Sequence, residues 1–140
     1  MRFARIVFIG AGVWGLVVLS PFYWLVDVTG RRYSPPTEYP QFFYGFLAVA
    51  LAWQIAFLMI GSRPVRFRIL MIPSVIEKFS YVATLAVLYG QGRISGIDAQ
   101  AAVPDGLIGL LFIAAAAMSF RAARCSPIAA ESTGPRRAVP

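Results

Sequence analysis

The sequence contains no histidine and a single cysteine. Without histidine there is no imidazole acid–base catalysis, no histidine-ligated haem and no histidine–metal site. A lone Cys125 excludes an intrachain disulfide and a paired-cysteine zinc site. It lies beside Arg124 just past an apolar block, the setting in which cysteines take palmitate; the unmodified thiol is the preferred reading. Charge is scarce too. Only 14% of residues are charged, against about 25% in a soluble domain. No cofactor and no metal are expected from this inventory.

What is abundant is apolar. Of 140 residues, 59% are hydrophobic, and they fall in four long blocks rather than at a core-forming period, which is a membrane signature. The net charge of +7 would suggest nucleic acid in a soluble protein. Here the arginines sit between the blocks and in the tail, so they are read as topology signals and contacts to anionic lipid headgroups, with no nucleic-acid partner. Spans are predicted at about 6–26, 41–60, 69–89 and 104–120. Residues 1–120 then form a transmembrane domain, and 121–140, rich in Pro, Ala, Ser, Thr and Arg, a disordered cytoplasmic tail. The first block follows Arg2 and Arg5 as a signal peptide would, but it is too long and lacks a nearby small-residue cleavage site, so it is read as an uncleaved span. Pro21 should kink or end it. Lys and Arg outside the spans number nine on one side and three on the other, which puts both termini in the cytoplasm by the positive-inside rule. The expected architecture is all-α: four transmembrane helices in an antiparallel bundle in the cell (inner) membrane.

Two small-residue patterns stand out. Gly10-Ala11-Gly12-Val13-Trp14-Gly15 matches G-x-G-x-x-G. A dinucleotide site needs a following helix, a second strand and an acid about 20 residues on; Pro21 and Asp27 come too soon. The glycines are read instead as a close helix–helix approach, with Ala11 and Gly15 as a small-xxx-small pair. In the second block Gly45, Ala48, Ala52 and Ala56 make one small-residue face. Gln54 lies nearly opposite it, and its amide must find a partner in hydrocarbon, most simply an interhelical hydrogen bond. The loop Asp27–Pro40 is read as a plain connector.

The third block carries the chemistry. Pro73-Ser74-Val75-Ile76-Glu77-Lys78 brings an acid and the chain's only lysine into an apolar segment, and the two are taken as the acid and the lysine of the four blocks. Glu77, Ser80, Tyr81 and Thr84 fall on one helical face, a polar stripe expected to turn into the bundle. Lys78 is about 100° round from it. If the helix begins near Ile69, Glu77 lies close to mid-membrane; if Ser74 caps it in a Ser-x-x-Glu box, Glu77 sits in the first turn near the cytoplasmic boundary. The capped arrangement is preferred, with Lys78 running out to headgroups and Glu77 taking an ion partner from Arg63, Arg66, Arg68, Arg121 and Arg124 on the same side. The candidate ligand-binding set is Glu77, Gln54, Ser80, Tyr81 and Thr84. The candidate headgroup set is Lys78, Arg63, Arg66 and Arg68, and no catalytic residue is assigned.

Phe43-Tyr44-Gly45-Phe46, Ala50-Leu51-Ala52-Trp53-Gln54, Pro64-Val65-Arg66-Phe67-Arg68 and Glu77-Lys78 together resemble short, uncharacterised bacterial four-span membrane proteins. The resemblance covers about Gln41–Tyr89 and implies a fold and a bacterial inner-membrane setting, with no activity attached. Small multidrug-resistance transporters share the size and the four spans, but their essential glutamate is in the first helix, where this chain has no acid before Asp27. Three functions remain in view. The first is a non-catalytic accessory subunit that packs against other membrane helices. The second is a small oligomeric transporter or lipid- or ligand-binding protein using Glu77, and the third a membrane enzyme on an apolar substrate with Glu77 as acid or base. The expected partners are the lipid bilayer and a second copy or another membrane protein.

Overall fold

In lipid, apolar side chains gain nothing by leaving solvent, so cohesion between helices must come from close packing and polar contacts. The computed structural model describes residues 2–24 and 40–125. All regular elements among the described residues are helical: α1 (Arg2–Leu19), α2 (Pro40–Ser62), α3 (Met71–Gly90) and α4 (Ala102–Cys125). A 3-10 turn, Arg68–Leu70, leads into α3, and a one-turn helix, Gly96–Ala99, precedes α4. Four helical stretches are long and apolar enough to cross a membrane: Arg2–Trp24, Gln41–Ser62, Arg68–Gly90 and Gly96–Arg124. Much of their apolar surface is exposed, Ile6, Val13, Trp14, Val17, Phe42 and Val49 among it, as a lipid-facing surface requires.

The ends of the helices follow from local chemistry. α1 stops at Leu19, and a turn at Ser20–Pro21 separates it from a last helical stretch at 22–24. Proline has no N–H for the helix ladder. The Ser20 hydroxyl donates to the Leu16 carbonyl at 2.6 Å, which also accepts the Ser20 N–H at 3.0 Å. α3 ends on Gly92, whose φ of +69° is the left-handed conformation a residue with a Cβ avoids. The Arg93 N–H reaches back to the Leu88 carbonyl and the Gly92 N–H to that of Tyr89, both at 2.9 Å, so the helix closes in a Schellman motif. Ser95 caps the one-turn helix in a box with Asp98. α4 runs on through Cys125, past the expected end at 120, because Arg121, Ala122, Ala123 and Arg124 are good helix formers. The expected loop 27–39 and the tail 126–140 lie outside the described residues, as does the side chain of Cys125.

Small residues set the helix contacts. A Cβ on Gly12 would stand 2.9 Å from the Gln54 carbonyl oxygen and from Leu58, and one on Gly15 would collide with the Gln54 carboxamide. Further along the same seam, a Cβ on Gly61 would meet Ile9 at 2.6 Å, and Arg5 Nη2 donates to the Ser62 carbonyl at 3.0 Å. So the G-x-G-x-x-G stretch is helix, and two of its glycines give α1 its close approach to α2. On α4, a Cβ at Gly109 would press on the Phe79 ring at 3.0 Å and the Lys78 Cβ at 3.3 Å, which seats α3 against α4. The two pairs join through aromatic rings. Phe8 of α1 stacks on Phe112 of α4 with centroids 4.1 Å apart. Phe57 of α2 meets Phe112 edge-on at 4.9 Å and Phe8 at 6.1 Å. All three are fully buried. In space the helices follow the order α2–α1–α4–α3, with little contact between α2 and α3.

Gly45, Ala48 and Ala52 do not face this core. They are exposed, while Leu47, Ala50, Gln54, Phe57 and Ile60 point inward. The small face of α2 is therefore left open on the outside of the four helices.

A buried lysine between α3 and α4

Ionisable groups at membrane depth survive where they face one another inside the protein. Lys78 is ten residues beyond Arg68 and twelve before Gly90 in its span, about 15 Å from the nearer end at ~1.5 Å per residue, or half of a hydrocarbon core of ~30 Å. Its residue exposure is 7%. The ammonium lies 2.7 Å from Asp105 Oδ1 on α4. Glu77, its neighbour in sequence, places Oε2 3.3 Å away and accepts a long hydrogen bond from Nζ on Oε1 at 3.4 Å. The ring of Phe57 on α2 faces the ammonium 5.4 Å from its centroid, within cation–π range. One cation thus contacts α4 through Asp105 and α2 through Phe57, and Phe57 is already packed on α1 through Phe8.

Gly109 makes the geometry work. It is one turn beyond Asp105 on α4, and without a Cβ it lets the stem of Lys78 lie against the α4 backbone. The lysine head then reaches Asp105. Asp105 is the closer partner, 2.7 Å from the ammonium; Glu77 keeps one buried oxygen, Oε2, that accepts no hydrogen bond.

The arrangement corrects the sequence reading in several places. Lys78 does not run out to headgroups; it is buried, because Asp105 offers a shorter route to neutralisation than the membrane surface. The Ser74 cap does not form. α3 begins at Met71, continuing from the 3-10 turn, with Leu70 before it and no side-chain cap. The Ser74 hydroxyl donates to the Leu70 carbonyl at 2.7 Å, so it is not turned toward the N–H of Glu77. Pro73 is the third helical residue, where a missing N–H costs little. Glu77 is thus in the second turn of α3, after a turn of 3-10 helix.

The polar stripe is also rotated. The buried residues of α3 are Met71, Ser74 and Lys78. Glu77 and Tyr81 are half-buried, and Ser80 and Thr84 are exposed. The two hydroxyls donate to the carbonyls one turn back, Ile76 at 2.7 Å and Ser80 at 2.8 Å, and so need nothing from the bundle interior. Tyr81 stacks on Phe46 of α2, centroids 6.2 Å apart. Gln54 is far round in the fold, on the seam between α1 and α2, 3% exposed. Its Nε2 donates to the Ala50 carbonyl of its own helix at 3.0 Å, not to a partner helix. The five candidate ligand residues therefore do not form one site. Arg63 and Arg66 are exposed and Arg68 half-buried.

Asp105 is the residue the sequence reading passes over, although it lies within the fourth block by that reading's own bounds. A signal was present. Lys78 is fourteen residues before Gly92 and Asp105 thirteen after it, so a hairpin turning at that glycine brings the two to one level.

The site as it stands is a strut more than a reagent. Its lysine is held between two carboxylates. Two surface grooves, one along Thr84, Leu88, Gln91 and Arg93 and one between α3 and α4 at Phe79, Val82, Gly106 and Leu110, are lined by neither Glu77, Lys78 nor Asp105. Among the described residues no group of three or more Asp, Glu, His or Cys side chains could hold a metal. No protein-family model matches the chain, and no curated protein and no solved structure matches it.

Proposed function

We propose that this is a non-catalytic integral membrane protein, an accessory subunit that binds other membrane helices. The observation that carries the reading is that the interior charges are spent on one another: Lys78 sits between Asp105 and Glu77, with neither groove reaching them. The open small-residue face of α2, Gly45, Ala48 and Ala52, supports it further, since such faces let a partner helix approach closely. The partner is another membrane protein or a second copy.

The proposed setting is a cell (inner) membrane of bacterial type, with an antiparallel bundle and both termini cytoplasmic. Two runs of contacts support the antiparallel order: Arg5 with Ser62, Ile9 with Gly61 and Gly15 with Gln54 on one seam, Lys78 with Gly109 and Val82 with Gly106 on the other. The nine-to-three distribution of Lys and Arg supports the sidedness. The test is photo-crosslinking in membranes from a benzoylphenylalanine placed at Ala48 or Ala52. A discrete crosslinked protein at these positions, absent when the probe is at Trp14, is the expected result. Crosslinks to lipid alone at all three positions would refute the reading.

One observation favours a second reading, a ligand-binding protein or transporter: the Oε2 of Glu77 is buried and accepts no hydrogen bond. Native mass spectrometry from nanodiscs separates the two. A bound small molecule in the wild type that Glu77→Gln loses supports the second.

A further inference from the structure

Four arginines, one from α1 and three from the chain between α2 and α3, gather at that connection. Residues 62–68 form a stiff loop. Pro64 is buried, the Phe67 N–H donates to the Arg63 carbonyl at 3.1 Å and the Leu70 N–H to that of Phe67 at 3.0 Å. Two arginines pin it. Arg5, from α1, donates to the Ser62 carbonyl at 3.0 Å, and Arg68 to the Val65 carbonyl at 2.9 Å. Each spends one of about five guanidinium donors this way. Arg63 and Arg66 are exposed, and the Arg66 guanidinium lies 5.9 Å over the Phe67 ring.

Among the described residues no carboxylate pairs with them. The acids among the described residues are Glu77, Asp98 and Asp105, and the ion pairs among the described residues all belong to Lys78. This loop also lies where the spans Gln41–Ser62 and Arg68–Gly90 end, at the level of phosphates in a bilayer. Guanidinium groups match the geometry of phosphate oxygens two donors at a time.

We propose that Arg5, Arg63, Arg66 and Arg68 form a binding site for the phosphate headgroup of an anionic phospholipid, built on the 62–68 loop and tied to α1. The site is independent of which membrane protein docks elsewhere on the bundle, and of which face of the membrane this end meets. Loop and clamp are in place before the lipid arrives, so little ordering entropy opposes binding.

The experiment uses the full chain in nanodiscs of phosphatidylcholine with a graded fraction of phosphatidylglycerol, read by native mass spectrometry of retained lipid. The wild type should retain phosphatidylglycerol over phosphatidylcholine. Arg63→Gln/Arg66→Gln should lower that preference by about 25-fold, at roughly five-fold for each arginine near the surface. Arg93→Gln, beyond the other end of α3, should leave it unchanged. Circular dichroism shows whether the double variant is folded. If it is not, Arg63→Lys/Arg66→Lys keeps the charge but removes the two-donor fork, and should still weaken retention. An equal preference in wild type and variants, or an equal loss in Arg93→Gln, would overturn the site in favour of a diffuse positive field. Displacement of the lipid by millimolar glycerol phosphate would overturn the lipid assignment in favour of a free phosphate ligand.

Discussion

Replacing Asp105 by alanine removes the shortest partner of a buried cation. What remains for the Lys78 ammonium is Glu77 at 3.3 Å and the Phe57 ring at 5.4 Å to its centroid. Breaking a buried ion pair from one side costs about 3–5 kcal/mol, because the surviving charge stays desolvated. Glu77 and the ring keep part of that, so the expected loss is about 3 kcal/mol, a factor of about 150 in the folded-to-unfolded ratio. Removing all three charges is a different perturbation. Lys78→Met/Asp105→Leu/Glu77→Gln leaves an apolar contact of similar volume and no carboxylate without its cation, and should lie within about 1 kcal/mol of the wild type. The combined change then recovers about 2 kcal/mol of the loss caused by Asp105→Ala alone. The assay is reversible unfolding in mixed micelles with rising SDS, followed by far-UV circular dichroism and by the fluorescence of Trp53, which packs against Phe57. If Asp105→Ala unfolds within about 0.5 kcal/mol of the wild type, or if the triple variant is no more stable than the single, the ion pair does not hold α3 to α4 and the reasoning fails.

Other variants probe other joints by the same unfolding assay. Glu77→Gln should cost less than about 1 kcal/mol, because Asp105 still neutralises Lys78; a loss as large as that of Asp105→Ala would mean the two acids share the lysine equally. Gly12→Val drives a side chain at a backbone carbonyl that cannot step aside and should cost about 1–3 kcal/mol, with the same substitution at Gly10, which has nothing within 4 Å, costing much less. Gly92→Ala puts a Cβ at a φ of +69° and should cost about 1 kcal/mol; no change would mean that the turn readjusts.

Much of the architecture was legible from block lengths. Four apolar runs with arginines between them do not fit a soluble core, and the glycines of α1 announced a close helix contact. What the sequence hid was rotation and register. The stripe Glu77–Ser80–Tyr81–Thr84 was read as the inward face because hydroxyls in lipid need partners, yet Ser80 and Thr84 find them one turn back in their own helix. Lys78 was read as outward because lysines near boundaries snorkel, and the acid that keeps it inside is 27 positions away, on another helix. Ser74-x-x-Glu77 and Ser95-x-x-Asp98 carry much the same local signature. Only the second begins a helix after a break in the backbone and so has orphan N–H groups to cap. Pair contacts of this kind depend on how two helices turn about their own axes, which local spacing does not encode.

Lys78 is a buried cation paired with Asp105 between α3 and α4. Because it is the only lysine, uniform 15N-lysine labelling gives a single side-chain nitrogen signal. The direct measurement is solid-state NMR of that label in bilayers, with dipolar recoupling to 13C-labelled aspartate carboxyls. One side-chain resonance is expected, slow to exchange with solvent, strongly coupled to one aspartate carboxyl and uncoupled in Asp105→Asn. A resonance in rapid exchange with water and no aspartate coupling in the wild type would place Lys78 at the membrane surface and contradict the account.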